Sequence, residues 1–213
     1  MTATTERNPL QLMRLLQLAS PALPVGAYSY SQGLEAAVEA GIVTDAESAE
    51  AWIADALGFS LGRFEAPVLW RMMQGEALND LFLAGRETAE LRAETVQMGH
   101  SLQRLVEDLG LGRVPLEEPA YPAAYAFAVQ RLKLDPREAL LAYLWSWLEN
   151  QVMAAVKAVP LGQTAAQRIL LSLGSRLEDL AKEAQSVEPA NFTPGLAMLS
   201  TRHETQYSRL FRS

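Results

Sequence analysis

Two histidines, His100 and His203, and no cysteine stand among the 213 residues. Disulfides, thiolate metal sites and a cysteine nucleophile are therefore excluded. A soft-metal site within one chain would need carboxylates to complete it. The two histidines are far apart in sequence, so hydrogen-bonded or interface roles compete with a metal site shared across a partner or a twofold axis. Hydrolytic chemistry is no better served. There is no Gly-x-Ser-x-Gly elbow, and Ser29 and Ser31 sit in a loop with no particular histidine to activate them. No Walker loop and no Gly-x-Gly-x-x-Gly cradle for phosphate occurs. Glu117 and Glu118 lie beside prolines and read as solvated. No catalytic residue and no metal ligand is assigned.

Three constellations remain. Ser146, Glu149, Asn150, Met153 and Lys157 recur at helical spacing and form one stripe. A polar stripe on an otherwise apolar helix must be paired or face water. It is either an internal hydrogen-bond network or a polar passage or partner-facing edge ending at Lys157, and Gln163 and Gln167 extend it beyond Pro160. The same stripe leaves open another class of function, an all-α small-molecule-binding protein or enzyme with this pocket. The loop from Ser20 to Glu35 carries two prolines before its tyrosines, Tyr28 and Tyr30. It is either a rigid corner with its rings in the core or a preorganised contact surface. The final twelve residues contain Arg202, His203, Tyr207, Arg209, Phe211 and Arg212. Continued as a helix, His203, Tyr207, Leu210 and Phe211 share one stripe and the arginines its neighbour. Arginine and aromatic residues are the types enriched at interface hot spots. The segment docks on its own domain or on another protein.

The elements that must position these residues are helical almost throughout. Helical spacing begins at Leu10 and is broken by Pro21 and Pro24. A short helix is expected from Gln32 to Ala40. Thr44-Asp45-Ala46-Glu47 reads as a capping box opening a helix to about Ser60. Further helices are expected over 63–74, 76–85, 87–109 and 122–133. Asp135-Pro136-Arg137-Glu138 is a strong start signal for a helix to Val159, about 37 Å long. A helix from Thr164 to about Gln185 follows, and Thr193-Pro194 opens a last one to the C-terminus. Alternating strand patterns are absent. The expected fold is all-α, a single domain of about nine to ten helices with a long central helix. Residues 1–8 are expected to be flexible, and 200–213 to form a partner-docking segment.

Composition narrows the class further. Hydrophobic residues make up 49%, enough for a core. The net charge of −7 disfavours nucleic acid as a partner. The N-terminal stretch lacks the pattern of a signal peptide. The most apolar run, 139–159, is interrupted by Glu149, Asn150, Gln151 and Lys157 and falls short of a membrane span. A cytoplasmic setting is expected.

Four blocks together resemble the UreF family of urease accessory proteins. Leu16-Gln17-Leu18-Ala19-Ser20 running into Pro24-Val25-Gly26 and Ser31-Gln32-Gly33-Leu34-Glu35 is similar to its N-terminal signature. Arg86-Glu87-Thr88 with Glu90-Leu91-Arg92 and Glu94 is similar to its middle one. Lys157-Ala158-Val159-Pro160-Leu161-Gly162-Gln163 and His203 to Ser213 resemble the two C-terminal ones. The resemblance implies an all-helical protein, not an enzyme, that acts in maturation of urease. It implies partners: UreD (or UreH), the GTPase UreG that it recruits and regulates, and apo-urease, with a homodimer common. Nickel is handled by the complex and no cofactor is held tightly. By the resemblance, Tyr28, Tyr30, Arg202, His203, Tyr207, Arg209, Phe211 and Arg212 face UreD. Lys157, Gln163 and Gln167 face UreG. The family is also thought to line part of a route for nickel, with which the possible polar passage of Ser146, Glu149 and Asn150 agrees.

Overall fold

Asp135 opens the helix on which the molecule is built. Its carboxylate accepts the Glu138 amide at 2.9 Å, and Pro136 takes the first helical position. The computed structural model describes residues 8–213. In chain order the helices are α1 (Pro9–Ala19), a 3₁₀ turn (Ala27–Ser29), α2 (Leu34–Glu39) and α3 (Ala46–Asp55). A π-helical segment (Ala56–Glu65) leads into α4 (Ala66–Met73), followed by α5 (Asn79–Ala84) and α6 (Ala89–Asp108). Then come α7 (Tyr121–Leu132), α8 (Pro136–Ala158), α9 (Gln163–Gly174), α10 (Leu177–Glu183) and α11 (Pro194–His203). The described residues include no strand, so the fold is all-α as expected. None of the described helices is long and apolar enough to cross a membrane. Asn8 caps α1 by accepting the Leu10 amide; the expectation of flexibility for 1–7 lies outside the described residues.

α8 is the axle. Leu140, Leu144, Leu148 and Val152 are completely buried, and α1, α2, α3, α4, α9 and α10 pack around it. α6 pairs with α7 on one side, and α11 lies across α2 and α6. One continuous apolar cluster joins all of these.

Four boundaries differ from expectation, each for a tertiary reason. α3, the π segment and α4 form one unbroken rod from 46 to 73, with no stop near Ser60. Gly62 lets the rod pack closely: a Cβ there would lie 2.9 Å from the Leu180 side chain. The cap of α3 is Asp45, paired with Ser48 and not with Glu47. The expected helix to Gln185 is two helices, split after Gly174, where the chain passes within 3.3 Å of the Trp145 ring for any added Cβ. α11 ends at His203, so the expected aromatic stripe along a terminal helix does not form.

The segment 113–120 is a strap over α6. Asn79 donates to the Glu118 carbonyl at 3.1 Å and accepts the Ala120 amide at 2.8 Å. Arg92 grips the Glu118 carboxylate with two hydrogen bonds. The close approach depends on Gly99, where a Cβ would sit 1.9 Å from the Pro119 carbonyl oxygen. Backbone on both sides leaves no flexible end to give way. Gly99→Ala is therefore expected to destabilise the fold by at least about 2 kcal/mol, read as a lower midpoint in urea unfolding. A loss below about 0.5 kcal/mol, the size of an ordinary surface change, would show that the strap is loosely held.

Candidate functional site

The site forms where the chain returns on itself. After α11 the backbone leaves the helix and crosses α2 and α6, because carboxylates on those helices take its donors. Glu35, on α2, is 6% exposed. It accepts the amides of Leu210 at 2.7 Å and Phe211 at 2.9 Å, and its Oε2 lies 3.2 Å from His203 Nε2. Glu90, on α6, meets His203 Nδ1 at 2.7 Å and accepts from Arg209 at 2.7 Å. Glu94, one turn further along α6, accepts from the Ser213 hydroxyl at 2.9 Å and from Gln32 at 2.6 Å. Burial pushes the Glu94 carboxyl up to about 7, against the pull of these two donors. Ser31 closes the arrangement, donating both its amide and its hydroxyl to the Ser213 carbonyl.

The tyrosine loop is thereby joined to the tail. The Arg212 amide donates to the Ser29 carbonyl at 2.8 Å. Tyr30 is buried, donates to Gln97 at 2.6 Å and meets the Arg212 side chain. Its phenol is pushed up by burial first and by Glu94 second. Tyr28 instead faces solvent, 65% exposed. Lys157 Nζ, at the end of the polar stripe, stands 5.8 Å from the Tyr28 ring centroid and 5.5 Å from that of Phe211, within cation–π range.

Among the residues grouped with the tail from sequence, His203 and Phe211 are buried and hold it down. Arg202, Tyr207, Arg209 and Arg212 are on the outside. Tyr207 is fully exposed and Leu210 is 70% exposed. Gln163 and Gln167 lie exposed on the first turns of α9. His100 is on the exposed side of α6. The described residues contain no cluster of three or more His, Asp or Glu side chains disposed to hold a metal.

Beneath the loop the stripe lines two connected spaces. Ser146, Glu149, Asn150 and Lys157 border a cleft of about 180 Å³ whose other wall is the loop from Ser20 to Tyr28. Ala27, Tyr121, Ser146 and Asn150 also border a deeper cavity of about 40 Å³. Burial raises the Glu149 carboxyl above its ordinary range. Asn150 donates to the Tyr30 carbonyl at 3.3 Å. The inner cavity holds charge that sequence reasoning did not foresee. Arg86 pairs with Glu65 at 2.9 Å and lies over the Phe82 ring at 4.1 Å. The Tyr143 hydroxyl donates to Glu65, and burial holds that phenol well above its ordinary range. The one sequence signal for these residues is a lone acid in an apolar run, as in Phe64-Glu65-Ala66-Pro67 and Leu34-Glu35-Ala36-Ala37. Charged side chains in such settings are buried only when paired.

This geometry offers ordered acceptors above two small spaces. Comparison with known proteins identifies the family. A family model described as UreF matches residues 43–174. The urease accessory protein UreF of Azoarcus sp. (strain BH72) is 56% identical over 96% of each chain. That of Dechloromonas aromatica (strain RCB) is 52% identical over 96% of this chain and 98% of its own. That of Janthinobacterium sp. (strain Marseille) is 51% identical over 95% and 98%. Match length and identity leave one assignment: the chain belongs to the UreF family of urease accessory proteins, which serve urease maturation and are not enzymes.

Proposed function

We propose that the chain is a cytoplasmic, non-catalytic scaffold of urease maturation. It binds UreD (UreH), recruits and regulates the GTPase UreG, and assists nickel insertion into apo-urease, working as a homodimer. Nickel is cargo of the assembly and no cofactor is bound tightly by this chain. The tail with Tyr28 is the UreD-facing region, while Tyr30, buried beneath the loop, holds it in place. Arg202, Tyr207, Arg209 and Arg212 make the contact, while His203 and Phe211 hold the platform. Lys157, Gln163 and Gln167 form the UreG-facing region. Ser146, Glu149 and Asn150 line a polar passage.

The observation that most supports this reading is the split character of the tail. Its backbone is pinned by buried carboxylates, yet Tyr207 and Leu210 are turned outward. Ordering a segment before it meets a partner lowers the entropy lost on binding, and exposed aromatic side chains on a fixed backbone are typical anchors. The competing reading, a small-molecule pocket on the stripe, is disfavoured by size. The cleft of about 180 Å³ and the inner cavity of about 40 Å³ are each smaller than the roughly 300–1,000 Å³ of sites for organic ligands. A wet passage fits those volumes better.

Removing the whole tail would uncover Glu35 and Glu90, so a subtler variant is the sharper test. Tyr207→Ala with Leu210→Ala is expected to weaken co-purification with UreD at least about tenfold, or about 1.4 kcal/mol, without moving the melting temperature. Undiminished UreD binding would remove the tail from that interface. Lys157→Ala is expected to change GTP turnover by UreG in the assembled complex while lowering stability by no more than about 1 kcal/mol, the scale of an exposed cation–π contact. A loss of several kcal/mol would make Lys157 a structural residue instead.

A further inference from the structure

Away from the tail and the stripe, a third hollow opens between the rod 46–73 and the approach to α11. Its volume is about 360 Å³, against about 180 Å³ for the cleft beneath the first loop. Trp52, Asp55 and Phe59 line it from the rod, at helical spacing that keeps them on one face. Phe192, Leu196 and the buried Leu199 line it from the other side. Phe59 is 61% exposed and Phe192 83% exposed. Large apolar side chains gathered round one hollow mark a contact site, whereas scattered ones are ordinary surface. The rings stand on fixed backbone. The Ala190 amide donates to the Arg63 carbonyl at 2.9 Å, the Asn191 side chain donates to the Gly85 carbonyl, and the Thr193 hydroxyl donates to Glu87 at 3.2 Å. Phe192 is therefore presented outward between two pinned residues. Phe59 belongs to the π-helical segment, a geometry that is rare and recurs at functional sites. Anchors held in this way lose little entropy on binding.

Charge decides what fits. Asp55 is the one ionisable side chain lining the hollow. It is exposed, and its carboxylate has no hydrogen bond or ion pair among the described residues. A carboxylate beside aromatic rings favours a cation, because ring faces attract positive charge and the carboxylate supplies the counter-charge. Guanidinium suits this set better than ammonium. It is planar, stacks on rings, and forks onto a carboxylate with two N–H groups. The net charge of −7 adds a long-range pull of the same sign. A second copy of the chain fits less well, since contact across a twofold axis at this hollow would bring two Asp55 carboxylates to one interface. The wall also holds an unmet donor: Trp52 Nε1–H is buried without an acceptor among the described residues.

We propose that this hollow is a docking site for an arginine side chain presented by an apolar segment of a partner protein. The guanidinium lies against Phe59 and Phe192 with its N–H groups on the Asp55 carboxylate, and the flanking apolar side chains cover Leu196 and the Trp52 ring. The site is separate from the tail and the stripe, and the inference does not rest on the roles given to them.

Trp52 reports on its own site. Its indole N–H resonance in the intact, isotope-labelled chain is followed while acetyl-Leu-Arg-Leu-amide is added at millimolar concentration, and it is expected to shift and saturate. The same peptide with citrulline in place of arginine keeps the shape and loses the charge. It should bind about tenfold more weakly, as should the arginine peptide to Asp55→Asn or to Phe192→Ala. Both variants should keep the wild-type melting temperature, since both side chains are exposed. No saturable shift, equal affinity for the two peptides, or wild-type affinity in Asp55→Asn would overturn the proposal. Methylguanidinium binding as tightly as the peptide would overturn it in favour of a small free cation. A Trp52 shift that grows with protein concentration alone would give the hollow to a second copy instead. Should a variant lose stability, the comparison of arginine with citrulline on the wild-type chain decides alone.

Discussion

Carboxylates taken out of water cost several kcal/mol each unless donors meet their oxygens, and three of them lie under the last ten residues of this chain. Glu35, Glu90 and Glu94 come from α2 and α6, and almost every donor they find belongs to the tail or to the loop bound to it. Two backbone amides, a histidine, an arginine, a serine hydroxyl and a glutamine amide supply the contacts. The tail is thus ordered by polar demand from below more than by its own apolar content. Phe211 is its one large side chain that reaches the core. A segment held in this way stays in place while its remaining side chains point outward.

The same demand explains the backbone of the first loop. Gln32 adopts a left-handed conformation, φ 52°, at a penalty on the order of 1 kcal/mol for a residue with a side chain. In return its amide group donates to Glu94 at 2.6 Å and accepts from the Trp147 indole at 2.7 Å. Gly33, also left-handed at 83°, completes the turn at no steric cost, and α2 begins at once with Glu35 two residues later. The strained residue and the buried acid belong to one construction.

Local encoding was legible and long-range encoding was not. Both ends of α8 follow from Asp135-Pro136 and Pro160, and the observed span matches the expected one within a residue. The unbroken rod from 46 to 73 was not legible, since the close packing at Gly62 is against Leu180, more than a hundred residues away. The helix expected through Phe211 fails for a similar reason, since its amide bonds to Glu35 across 176 positions. The polar stripe on α8 was visible from spacing, and its residues border the cleft beneath the first loop. The buried partners of that space, Glu65 and Arg86, come from other helices, and no periodicity on α8 could point to them.

Glu94 ties these parts together. It borders the inner cavity and also anchors Ser213. Gln32 repeats the arrangement, bordering the cavity while bonding Glu94 and Trp147. Asn150, from the stripe, bonds the Tyr30 carbonyl, one residue before the Ser31 that holds the tail end. The tail therefore cannot lift without removing a donor from Glu94 and freeing the loop that forms the roof of the cleft. The outer face of the tail and the interior spaces are mechanically joined through a single carboxylate.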